Sequence, residues 1–432
     1  MGAGSVIPQR SAVAGAVADE WHAAARRIAD DLVVMMGSST EHQSLAIAVG
    51  PQLAGGLAGV SLFLWNAAAA FEDEQYRTAA ERALRRAIEG LADAEMGMGL
   101  FSGFTGVAWL THAVRESGLL SRDQQSSSDP CAQVDEVLLE YLGGDAAWLP
   151  FDLLDGVAGI AVYALDRMPR PTAVSLLHEC VKRLRASALV TPRGIVWQVR
   201  RDGLPDYARE TYPEGTFPLG VAHGLAGVIG VLARIVSEVP QLPDAMELFE
   251  GALSFLLSSR LPPGSMGTFP RLANLDGPLG ERSEMTWCWG DPGVAAMMLM
   301  AARALSRQSL GDIATQTMES AAGLHPVVSE MSDACLCHGW SGIAGIFSRF
   351  HEQVPTGPFG AAAQRWYAPV FRTAVHDDGI GGMYFRLPRP PGVEMVPSPG
   401  VLMGSAGVGL SLLSAWSTCS VPWDRCFLMN CR

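Results

Sequence analysis

The sequence predicts an all-α fold, an α/α toroid in which seven inner and seven outer helices form a double ring carrying small β-rich insertions. Three observations lead there. A Gly-x-x-Gly motif followed by an apolar run recurs seven times. A more charged pattern with helical periodicity fills the gaps between copies. The chain has 432 residues, of which 49% are hydrophobic and only 17% charged, so its interior is large. That length calls for several domains or for one ring of repeats. The repeats select the ring, as a single domain over residues 1–432.

The copies begin at Gly56, Gly103, Gly156, Gly224, Gly290, Gly339 and Gly404, at intervals of 47, 53, 68, 66, 49 and 65 residues. The first glycine of each motif permits a positive φ or a close backbone approach. The second lets neighbouring inner helices pack tightly. Tyr76–Ala92 and Pro171–Leu189 have the amphipathic spacing of outer helices. An α/α unit cannot bury its apolar face alone, so stacked units curve and seven can close. The amino-terminal ends of the inner helices then open on one face.

The longer intervals hold insertions. Residues 190–218 read as a β-rich insertion with "GIVWQV" as its strand core. "HDDGIGGMYFRLPRPPGVEMVPSPG" before the last copy reads the same way, and Gln124–Pro130 as a polar linker. The net charge of −13 argues against nucleic acid as a partner. No basic start leads into an apolar run at the amino terminus, and Val6 stands where a myristoylation motif needs Ser or Thr. Eight scattered cysteines in a long chain fit a reducing, cytoplasmic setting. Two stretches, His42–Phe71 and Pro399–Trp423, carry no charge and are long enough to span a bilayer. Each is broken by Pro or paired Gly, and both read as core helices.

Chemistry concentrates just before the first glycine of three copies. His223 precedes Gly224. Cys288 lies two residues before Gly290. Cys337 and His338 lie two and one before Gly339. The other copies carry Gly55, Ser102, Asp155 and Met403 next to the glycine. In a closed ring these slots converge. A lone cysteine is usually a small buried hydrophobe, but three ligand types in one slot of adjacent repeats point to a metal. Adjacent Cys and His reach one ion only from a turn. Two cysteines and one histidine leave a fourth position open, the pattern of a catalytic zinc, and thiolates suit zinc over calcium or magnesium. His223 is either a satisfied core histidine or, beside that centre, a general acid/base. Asp152, four residues before Gly156, is either a loop or cap carboxylate or an acid inside the ring. Asp155 is the weaker of the two, and Cys335 reads as a buried neighbour. Trp287, Trp289 and Trp340 flank the ligands, as packing or as walls of a peptide groove.

With "AHGLAG", "WCWGDPG" and "LCHGWSG" in that order, the sequence resembles the lanthionine synthetase C-like family of lanthipeptide cyclases. The resemblance runs through all seven motifs to "PWDRCFLMN". It implies a seven-fold α/α toroid with zinc on Cys288, Cys337 and His338, an acid/base on His223 and an active-site carboxylate on Asp152. The family usually has Tyr where Trp289 stands, and commonly Arg where Glu284 stands. Arg282 is the replacement cation, and Arg282 and Trp289 are candidate substrate contacts.

The implied activity is zinc-dependent addition of peptide Cys thiolates to dehydroalanine or dehydrobutyrine, which forms lanthionine or methyllanthionine rings. The implied partner is a dehydrated precursor peptide of leader and core, with a dehydratase, export machinery and peripheral membrane assembly as further associations. The region Gly194–Pro218 is a candidate leader contact, and the length fits a stand-alone cyclase. Two alternatives remain on the same fold: a zinc protein that binds or transfers glutathione, and a non-catalytic scaffold in which the metal holds the ring.

Overall fold

A computed structural model describes residues 16–37, 49–119, 129–144, 149–204, 206–326, 333–389, 392–417 and 420–429. Most of the anticipated linker, Gln124–Ser128, lies outside these residues. Each Gly-x-x-Gly motif opens an inner helix: Leu57–Phe71, Phe104–Glu116, Val157–Asp166, Leu225–Glu238, Asp291–Ala304, Trp340–Gln353 and Ser405–Trp416. These helices are buried nearly all round, because they consist of small and apolar residues. Each packs on the next, and Ser405–Trp416 packs on Leu57–Phe71, which closes the ring.

The outer layer comprises Ala16–Gly37, Glu74–Glu89, Ala132–Gly143, Pro171–Ser187, Pro243–Ser258, Gln308–Ala322 and Phe359–Arg372. Their buried residues recur on one stripe, such as Tyr76, Ala79, Ala80, Ala83, Leu84 and Ala87. The first outer helix, Ala16–Gly37, packs against the last inner helix, so both ends of the chain help close the toroid. The charge-free stretches contain the inner helices Leu57–Phe71 and Ser405–Trp416, and no helix among the described residues is long and apolar enough to cross a membrane.

The motif glycines serve close approach, not a positive φ. Gly156 is extended, at φ −118° and ψ −166°. A Cβ there would lie 2.2 Å from the carbonyl oxygen of Pro150. The loop before the helix folds back so that its carbonyls accept from the first helical N–H groups: Val157 donates to Pro150 at 2.8 Å and Ala158 to Phe151 at 3.1 Å. Main-chain carbonyls thus replace the side-chain cap, and glycine leaves room for them. At Gly159 a Cβ would lie 2.3 Å from Leu153 O and 2.8 Å from Leu100 Cβ of the preceding unit. The second glycine therefore admits both its own loop and its neighbour.

A circle of main-chain hydrogen bonds joins the seven loops. Ala54 N donates to Phe101 O, Phe101 N to Leu154 O, and Leu153 N to Ala222 O. Val221 N donates to Cys288 O, Cys288 N to Cys337 O, Cys337 N to Leu402 O, and Val401 N to Ala54 O. The lengths run from 2.8 to 3.2 Å. Beneath it the carboxyl-terminal segment fills the centre: Phe427 packs 5.0 Å from the ring of Phe101 and 5.2 Å from Trp287, and Trp287 Nε1 donates to its carbonyl at 3.2 Å.

Among the described residues, three small antiparallel sheets decorate the ring. The hairpin β1 (Leu189–Thr191) and β2 (Gly194–Val196) starts the insertion expected at 190–218. Its strand ends sooner than "GIVWQV" suggested, because Trp197 turns inward and donates to Leu184 O at 2.8 Å. β3 (Phe217–Pro218) pairs with β4 (Leu272–Ala273), which pairs with β5 (Pro278–Leu279). β6 (Phe385–Arg389) and β7 (Gly392–Val396) form the second expected hairpin.

Candidate metal centre and active site

The circle of loop hydrogen bonds fixes the residues two before each motif glycine, and Cys288 and Cys337 are two of them. Each thiol therefore leaves a backbone locked on both sides. The ligand atoms of Cys288, Cys337 and His338 all lie within 4.8 Å of one another. Cys288 and Cys337 are 3% and 7% exposed, so bulk water does not compete for them. Burial alone would raise the Cys288 thiol. Hydrogen bonding to Cys337 and His338 outweighs burial and brings it down to about 5. Two cysteine sulfurs and an imidazole converging from two loops in a shielded site fit a soft divalent ion.

His223 precedes its motif glycine one repeat earlier in the ring. Its Nδ1 lies 2.8 Å from Asp152 Oδ2. A carboxylate only accepts, so Nδ1 carries the proton and Nε2 is left for other work. The other Asp152 oxygen accepts from Asp155 N at 2.8 Å, which fixes the carboxylate. Burial pulls the His223 pKa down, but the bond to Asp152 outweighs it and the net shift is upward. Asp155 is turned to Ser102, whose hydroxyl donates to it, and burial raises its carboxyl. Asp152 thus bonds both the loop before its helix and His223.

One cavity of about 640 Å³ joins these groups, lined by His223, Cys288, Cys337, His338 and Trp289 among others. Arg282 also lines it. The Trp289 ring lies 5.8 Å from that of His223. Trp287 points the other way into the core and is packing, not groove. Cys335 is fully buried, as expected.

Two lining groups escaped the sequence reading. Arg271, in the stretch ahead of β4, stacks 4.4 Å over Trp289 and pairs with Glu284 at 3.6 Å. The departures at 284 and 289 are therefore both matched by one arginine outside any repeat, where spacing gave no signal. Burial pushes the Glu284 carboxyl up against the pull of Arg271. Asp291 follows its motif glycine and accepts from Thr268 N at 2.7 Å and Phe269 N at 2.9 Å, which pins the loop that walls the cavity. Burial lifts its carboxyl to about 6.

Comparison with known proteins agrees with this architecture. The nisin biosynthesis protein NisC of Lactococcus lactis subsp. lactis is 28% identical over 164 residues, 35% of this chain and 37% of that protein. The matched part is thus little over a third of that relative's length. The solved structure of a nisin cyclase superposes with a TM-score of 0.70 at 20% identity, covering 88% of this chain and 92% of the other. At that identity the likeness establishes the fold. A family model, lanthionine synthetase C-like protein, matches residues 48–428, and the chain belongs to that family.

Proposed function

We propose that this chain is a zinc-dependent lanthipeptide cyclase, which joins Cys thiols of a peptide to its dehydroalanine or dehydrobutyrine residues. The observation that carries the reading is the meeting, on one cavity, of the Cys288, Cys337 and His338 donor set with His223, which is itself bonded to Asp152. Membership of the family and likeness to a nisin cyclase support it.

Cys288, Cys337 and His338 would hold the zinc, which when bound would favour the thiolate form of a substrate thiol whose ordinary pKa is about 8.5. The remaining chemistry falls to the chain's own side chains. As sulfur bonds to the β-carbon, the alkene π pair moves onto the α-carbon and its carbonyl, and the α-carbon takes up a proton. His223 holds that proton on Nε2. Asp152 fixes the ring's orientation and tautomer and favours its charged form. Trp289 and Arg271 form one wall for the peptide, with Arg282 at the rim. The peptide reaches the site after a separate dehydration has made the alkene.

Ring closure moves one proton and one bond, so the peptide's mass is unchanged while its thiols disappear. The test is to incubate a dehydrated precursor peptide with the zinc-loaded chain, alkylate, and count added labels by mass spectrometry. Loss of alkylatable thiols at constant mass is expected, with retention of thiols after chelation. Thiols that persist beside the zinc-loaded chain would refute the assignment.

A further inference from the structure

A second polar cavity lies at the other end of the inner helices, where no part of the proposed reaction takes place. It measures about 530 Å³ and is lined by Asp166, Arg234, Ser237, Glu238, Arg303 and Arg425, with few apolar atoms. Asp166, Glu238 and Arg303 sit in the last turns of three consecutive inner helices, while His223 and Cys288 precede the first turns of two of them. Helix Leu225–Glu238 has 14 residues, so about 20 Å separates the two ends.

Three guanidinium groups face two carboxylates, and both carboxylates are already engaged. Asp166 Oδ2 accepts from Trp109 Nε1 at 2.8 Å, and Oδ1 lies 3.3 Å from Arg234 and 3.7 Å from Arg425. Glu238 Oε1 accepts from Arg234 Nε at 3.2 Å and Nη2 at 3.1 Å. Arg234 Nη1 remains buried with no acceptor. Arg303 is exposed at the rim and forms no ion pair among the described residues. The carbonyl ends of the helices explain why cations gather here. They do not satisfy an N–H that is out of water, and such a donor is costly to leave unmade.

Arginine forks match oxyanions in bidentate geometry. These three come from different elements: Arg234 and Arg303 from adjacent inner helices and Arg425 from the carboxyl-terminal segment, with Ser237 lining the same cavity. Three guanidinium groups and a hydroxyl suit the three acceptor oxygens of a phosphate group better than the two of a carboxylate. The volume exceeds what a bare anion needs and falls within the range of small-ligand pockets, about 300–1,000 Å³. We propose that this cavity binds the phosphate group of a small ligand, independently of the metal centre.

The experiment uses the full chain. Thermal melts and calorimetric titrations are run with sodium phosphate, glycerol 3-phosphate and acetate, against chloride at matched ionic strength. Binding to the folded state alone raises Tm with the logarithm of ligand concentration and gives a saturable calorimetric isotherm. Phosphate and glycerol 3-phosphate are expected to do so, and a tighter glycerol 3-phosphate would mark a monoester as the ligand, a tighter phosphate the free ion. Acetate is expected to bind far more weakly. Arg303→Gln should leave the melt in chloride unchanged, because the side chain is exposed and unpaired, yet weaken phosphate binding ~10-fold, the scale of a lost hydrogen bond to a charged group. Arg425→Gln should weaken it similarly. The proposal is overturned if no anion gives a saturable response, if acetate matches phosphate, or if both arginine variants bind phosphate as the parent does. Affinity lost in Cys288→Ala but kept in Arg303→Gln would place the phosphate at the metal centre and also overturn it.

Discussion

The main-chain N–H of Cys288 donates to the carbonyl of Cys337 at 3.2 Å, and this bond belongs to the ring and to the site at once. It holds two thiols from different repeats in register without help from their side chains. The circle of seven loops sets the approach of the two sulfurs through the backbone alone.

Metal loss should therefore be separable from unfolding. Cys288→Ala and Cys337→Ala are expected to lose most of the zinc found in the parent, near one per chain, while keeping a helical circular dichroism spectrum and a cooperative melt. Elemental analysis beside the melt checks this. A chain that unfolds on losing either thiol would make the metal structural, as in a zinc finger.

The pH dependence should follow His223. Its folded pKa is raised above the unfolded value, with burial opposing and Asp152 prevailing. The protonated pair thus adds stability that is fully present below the ordinary histidine value and is lost as pH rises through the raised one. The rate of ring closure should fall over the same alkaline window as the proton leaves. Asp152→Asn removes the cause of the rise, so the falling limb should move to lower pH and the stability advantage in acid should shrink. A pH–rate profile with pH-dependent melts measures both. An unmoved limb would detach Asp152 from the histidine's chemistry.

The second motif glycine should resist even one methyl group. Gly159→Ala drives a Cβ toward Leu153 O and Leu100 Cβ, at 2.3 and 2.8 Å. Overpacking of this kind costs about 1–3 kcal/mol. Gly143, in the last turn of an outer helix, has nothing within 4 Å of its would-be Cβ. Gly143→Ala should be neutral or slightly stabilising. Comparing the two midpoints in urea tests whether the motif works through contact or through glycine's general flexibility.

Much of this was legible in the sequence because the repeat is a backbone device. A glycine that must admit carbonyls tolerates no other residue, so all seven inner-helix starts were visible at Gly56, Gly103, Gly156, Gly224, Gly290, Gly339 and Gly404. The same register exposed Cys288, Cys337, His338 and His223, since equal slots in a ring meet. Asp152 was harder: its bond to His223 is a contact across units that no spacing encodes. Arg271 was invisible because it comes from an irregular stretch that carries the short strands β4 and β5, and only stacking on Trp289 brings it to the cavity. The choice between positive φ and close approach at the first glycine needed coordinates, since both favour the same residue.

The most direct test of the account is ring closure by His223→Asn. The substitution removes the proton on Nε2 and touches no proposed ligand. Zinc content and melting should stay near those of the parent, and the dehydrated peptide should still bind. The rate at which alkylatable thiols disappear should fall by roughly 10²–10⁴-fold, the usual size of general acid/base catalysis. A folded, zinc-loaded His223→Asn chain that closes rings at nearly the parent rate would contradict the account and remove the proton from this histidine.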